Sequence, residues 1–115
     1  MKEIERKLEI IKKACEDKKG TDIRILDISE LSTIGDYFVI VSGSSSNQAQ
    51  AIADEIEEKM AEEGFEKISK DGYQSGRWIL LDFVDIIVHI FHKEERDYYN
   101  LERLWTEELL DSNKI

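Results

Sequence analysis

The chain has no proline, a single cysteine and no apolar run near the length that crosses a membrane. Each scarcity excludes something. No proline-rich or low-complexity linker divides the chain, and the only biased tract is Ser44-Ser45-Ser46, so it reads as one unit. Cys15 alone makes no internal disulfide and no thiolate zinc site. It falls on the apolar stripe of an expected helix, which points to a buried core thiol. A membrane helix needs about 20 apolar residues. Met1 to Glu5 carry no apolar signal-peptide core, so a cytoplasmic location and no membrane contact are expected.

What is present is charge and a regular apolar pattern. Hydrophobic residues make up 41% of the 115 and charged residues 37%, the balance of a folded domain. Residues 1–115 are expected to form a single domain that buries about two-thirds of its unfolded surface. The net charge of −10 is uneven: residues 1–19 are net basic and the remainder strongly acidic. An acidic body repels phosphate backbones, so little direct nucleic-acid contact is expected. It suits a basic protein partner, although acidity by itself also keeps a protein soluble.

Apolar residues Ile4, Leu8, Ile11 and Cys15, widened by Ile10 and Ala14, predict a helix over 3–18. Glu9 and Lys13 are placed for an ion pair, and Gly20 for the helix stop. Residues 22–28 are rich in β-branched residues and predict a strand. Residues 37–42 form a continuous apolar run, as expected of a strand buried on both faces. Ser45 with Gln48 resembles a capping box, and Ala49, Ile52, Ala53, Ile56 and Met60 follow at helical spacing, predicting a helix over 46–63. Its outer face, Asp54, Glu55, Glu57, Glu58, Glu62 and Glu63, is acidic. A short strand is expected over 65–69, a turn-rich loop over 70–76, and two strands over 77–82 and 85–91 joined by a tight hairpin. A final helix is expected over 94–110. The order α-β-β-α-β-β-β-α predicts an α/β (α+β) fold, a mixed sheet packed with helices.

Several constellations bear on chemistry. The segment from Val41 to Ser46 joins a strand to a helix and can cradle an anion. It lacks the lysine and the glycine spacing of nucleotide loops, so a capped turn is the plainer reading. Asp82 and Asp85 are candidate metal carboxylates but flank a hairpin, where aspartates bond turn N–H groups. His89 reads as a hydrogen-bonded structural or interface residue. His92 does not make a metal pair with it. Strand alternation puts Trp78, Leu80 and Asp82 on one face and Ile79 and Leu81 on the other. If the Trp78 face is incompletely covered, it is an apolar patch rimmed by charge, as at a protein-binding hot spot. If it is covered, Trp78 is core.

The run Gly35-Asp36-Tyr37-Phe38-Val39-Ile40-Val41-Ser42-Gly43-Ser44-Ser45-Ser46-Asn47-Gln48, continued by Ala51 to Ile56, closely resembles the central signature of the ribosomal silencing factor (RsfS/Iojap) family. Trp78 to Phe83, Ile87 to Phe91 and Arg96 to Trp105 resemble its second signature, in order and at matching spacing. The resemblance implies a nucleotidyltransferase-like topology without the catalytic residues, no enzyme activity and no cofactor. It implies binding to the large ribosomal subunit through the fourteenth large-subunit ribosomal protein, on the intersubunit face. Small-subunit docking would be blocked and translation repressed. With the alternation that puts Trp78 and Leu80 on one face, the partner-binding residues expected are Trp78, Leu80, Asp82, His89, Tyr98 and Tyr99, with a homodimer allowed when the protein is free. Val84 departs from the family, whose members often carry glycine in this hairpin. A β-branched residue tolerates positive φ poorly, so a different turn is expected here. A nucleotide-binding enzyme and a generic acidic dimerising module are the competing readings.

Overall fold

The structure, a computed structural model, describes residues 2–29 and 36–99. Eight elements follow in the expected order: α1 (Lys2–Asp17), β1 (Thr21–Asp27), β2 (Tyr37–Gly43), α2 (Ser46–Glu62), β3 (Ser69–Asp71), β4 (Trp78–Asp82), β5 (Ile86–His92) and α3 (Lys93–Tyr99). The remainder of the helix expected over 94–110 lies outside the described residues.

The strands form one sheet in the order β1-β2-β5-β4-β3. β2 and β5 run parallel at its centre, and the other pairs are antiparallel. The fold is therefore α+β around a mixed sheet. β2 is buried along nearly all its length, as its unbroken apolar run requires. The apolar stripe of α1 and the buried residues Ala49, Ile52, Ala53, Ile56 and Met60 of α2 pack on one sheet face, against Val39, Val41, Ile79, Leu81, Val88 and Ile90. Cys15 is fully buried in this layer, and burial pushes its thiol up to about 12. It is a core residue and no nucleophile at neutral pH.

Four local expectations are corrected. The helix stop after α1 is a Schellman turn: Gly20 N–H donates to Cys15 O at 2.8 Å and Lys19 N–H to Glu16 O at 2.9 Å. Lys19, not Gly20, takes the left-handed conformation, at φ 61°. Gly20 is small for a packing reason, since a Cβ there would sit 2.6 Å from Val41 Cγ2. On α1, Glu9 pairs with Arg6 and Lys13 with Asp17, in place of the expected Glu9–Lys13 pair. The strand expected over 65–69 forms instead at Ser69–Asp71, because pairing with Asp82, Leu81 and Leu80 of β4 sets its register. Propensity would not choose so polar a segment.

The hairpin between β4 and β5 is the fourth. Val84 keeps positive φ, 78°, although it is β-branched. Asp85 N–H donates to Phe83 O at 3.1 Å, closing a three-residue γ-turn, and Phe83 N–H donates to Ile86 O at 2.9 Å. The Asp82 carboxylate accepts from Val84 N–H at 2.8 Å and steadies the strained residue. The expected hairpin is present, but the left-handed turn that glycine would favour is retained with valine at its tip.

Candidate partner-binding face

The sheet face away from α1 and α2 is built from alternate residues of four strands. Pairing sets Trp78 opposite Phe91, Leu80 opposite His89 and Asp82 opposite Ile87 on the β4–β5 side. On the β2 side, Phe38, Ile40 and Ser42 lie opposite Ile87, His89 and Phe91. Leu26 of β1 continues the row beside Phe38. The register brings four of the expected site residues, Trp78, Leu80, Asp82 and His89, onto one surface. Tyr98 and Tyr99 belong to α3, which follows β5 directly, but their side chains lie outside the described residues.

This face has a buried floor and a half-open edge. Ile28, Phe38, Ile40, Ile87 and Phe91 are buried, while Leu26, Trp78 and Leu80 pack against them and stay half-exposed. The Trp78 indole stacks on the Phe91 ring, with centroids 4.9 Å apart. Its Nε1–H donates to His89 Nδ1 at 3.1 Å. His89 meets Phe38 edge-on at 4.5 Å. It is only 4% exposed, so it lies beneath the surface that Trp78 and Leu80 form. Burial pushes its imidazole down to about 4, which keeps it neutral at ordinary pH.

Charged groups surround the apolar patch. Asp82 stands at one end, half-exposed and bound to the turn N–H. At the other end Arg77 reaches Glu95 of α3 at 3.5 Å. Arg96, almost fully buried, donates to Ser42 Oγ at 2.9 Å and approaches Asp22 at 3.5 Å, pinning α3 to the central strand and the bulged edge strand. Sequence pattern gives no sign of Arg96 as a fastener, because its partners lie 54 and 74 residues away and have no local signature.

Other sequence candidates are accounted for by structure. Ser45 caps α2, its hydroxyl accepting from Gln48 N–H at 3.1 Å. The Gln48 side chain accepts from Ser44 N–H and donates to the Lys18 and Lys19 carbonyls at the end of α1. The N–H groups of Ser44 and Gln48, two of those that would hold an anion in this loop, are thus bonded within the fold. Asp85 faces away from Asp82 in its bonding, pairing with the buried Lys7 ammonium at 3.4 Å. Among the described residues no group of three or more His, Cys, Asp or Glu converges as metal ligands. None of the described helices is long and apolar enough to cross a membrane. On α2 the acidic face is partly neutralised, with Glu57 bridged to Lys67 and Lys70, Glu63 to Arg6 and Glu62 to Lys59.

One face sealed by two helices, the other half-open and aromatic, on a five-stranded mixed sheet: this defines an α+β protein whose architecture is found in solved structures. A crystal structure of a Chromobacterium violaceum protein superposes with a TM-score of 0.87 at 35% identity, covering 90% of this chain and 86% of that one. All 115 residues match the family described as "Ribosomal silencing factor during starvation". The ribosomal silencing factor RsfS of Bacillus subtilis is 47% identical over 98 residues, 85% of this chain and 83% of that protein. A more distant mouse relative, named mitochondrial assembly of ribosomal large subunit protein 1, is 29% identical, covering 77% of this chain and 40% of its own length. The chain belongs to the ribosomal silencing factor family.

Proposed function

We propose that this protein binds the large ribosomal subunit through the β4 face, blocks joining of the small subunit and thereby represses translation. The protein partner is the fourteenth large-subunit ribosomal protein, on the intersubunit side. Trp78 and Leu80 are the apolar anchors, Asp82 the charged end, His89 the support beneath, and Tyr98 and Tyr99 the rim. The observation that carries this reading is the half-open apolar edge of the sheet, with a stacked tryptophan between charged ends, on a chain of this family. Such a patch is how a hot spot is built. The name of the mouse relative, which refers to the large ribosomal subunit, supports the choice of partner. The net charge of −10 suits a basic ribosomal protein and makes the encounter salt-sensitive.

The same reading is non-catalytic. Among the described residues Asp82 is engaged by the hairpin, Asp85 by Lys7 and Ser44 by Gln48, which disfavours the nucleotidyltransferase alternative, whose chemistry needs carboxylates converging on a metal.

Sedimentation with purified large subunits tests the proposal. The protein comigrates at low salt, and Trp78→Ala stays folded but binds about thirtyfold more weakly, as expected of a hot-spot aromatic. Normal binding by Trp78→Ala would move the contact elsewhere, and absence of comigration by the unsubstituted protein at low salt would overturn the assignment.

A further inference from the structure

Histidine is an unfavourable choice for folding alone at position 89. The side chain is 4% exposed and lies among the rings of Phe38, Trp78 and Phe91. Its Nδ1 accepts the Trp78 indole N–H at 3.1 Å, so the neutral ring carries its proton on Nε2. Nε2 is buried and has no hydrogen-bond partner among the described residues. A buried donor without an acceptor is destabilising. Leucine would fill nearly the same volume without stranding an N–H. Leucine lacks the acceptor that faces Trp78.

We propose that His89 is a positioning residue: it holds the Trp78 indole flat against Phe91 in the orientation that meets the partner, without touching the partner itself. This rests on the reading of Trp78 as a partner contact. The ring of Trp78 is half-exposed at the edge of the sheet. Stacking on Phe91 sets the plane of the ring. The hydrogen bond from Nε1–H sets its position within that plane before the partner arrives, so less ordering has to occur on binding. The low proton affinity of the buried imidazole keeps the acceptor available at neutral pH.

The test uses His89→Leu, which removes the acceptor, and His89→Asn, whose side-chain oxygen lies near the place of Nδ1. Melting temperature, the proton–nitrogen resonance of the Trp78 indole (assigned with Trp78→Phe) and comigration with large subunits are read for each. His89→Leu is expected to melt no lower than the unsubstituted protein, to shift the indole resonance, to speed its exchange with water, and to bind about fivefold more weakly, the worth of one hydrogen bond. His89→Asn should restore the resonance and most of the binding. An unshifted resonance in His89→Leu overturns the proposal. So does a His89→Leu variant that fails to fold, since His89 would then serve the fold. Equal binding by the leucine and asparagine variants overturns it as well. Failure of the functional reading looks different: Trp78→Ala itself would bind normally, whatever the indole resonance does.

Discussion

Ile79 and Leu81 of β4 are fully buried beneath the helices, whereas Trp78, Leu80 and Asp82, interleaved with them on the same five residues, stay half-exposed. The two faces are held by different forces. The helix-covered face is almost wholly aliphatic, and its order comes from dense, non-directional packing. The other face combines stacked rings, an indole–imidazole hydrogen bond and a buried guanidinium bonded to a serine. Directional bonds fix side-chain orientation where the side chain is only partly buried. On the proposed reading, in which Trp78 meets a partner, that orientation matters more than burial.

Paired truncations on β4 break the comparison most directly. Leu81→Ala opens a cavity against the helices and should cost about 3 kcal/mol, while Leu80→Ala, half-exposed, should cost about 1 kcal/mol and act mainly on partner binding. Thermal melts of both read the difference; equal losses would make the second face a core like the first.

Acid separates the faces next. Burial alone lowers the folded-state pKa of His89 to about 4 from its usual 6.5. Between those values the unfolded chain binds the additional proton, so stability rises with pH through that window. The contribution is complete above about pH 6.5 and is lost as pH falls toward 4, with a full loss on the order of 3 kcal/mol. The aliphatic face has no such dependence. In melts from pH 7.5 to 4.5 the unsubstituted protein should lose stability relative to His89→Asn as pH falls; a difference that stays constant with pH would contradict this origin.

The smallest effect lies at the hairpin tip. Val84 is 59% exposed at φ 78°, so Val84→Gly relieves strain without opening a cavity. It should stabilise by about 1 kcal/mol, read as a rise in the denaturation midpoint with unchanged slope. A loss of stability would mean that the valine methyl groups contribute packing at the tip.

Which of these features could be read from the chain depended on how local their causes are. Alternation along Trp78 to Asp82 is a property of any strand, so the division of its residues between faces followed from sequence. The element order and the capping role of Ser45 did so too, each being encoded within a few residues. The opposition of His89 and Leu80 depends on strand pairing, and the burial of His89 on the central parallel pairing of β2 with β5, which no short window carries. The polar strand Ser69–Asp71 exists because β4 offers an edge, so its own composition pointed elsewhere. The left-handed conformations at Lys19, where the stop was expected at Gly20, and at Val84 have the same cause: closure of the surrounding turn outweighs the local preference of the side chain.

Gln48 ties together more of the chain than its size suggests. Through one amide it accepts from Ser44 at the entry to α2 and donates to the carbonyls of Lys18 and Lys19 at the exit of α1. Fraying of either helix end therefore releases the other. In native-state hydrogen exchange, the amides of Ser44 and Gly20 should open together, as members of one cooperative unit, although 24 residues and a whole antiparallel strand pair separate them in the chain.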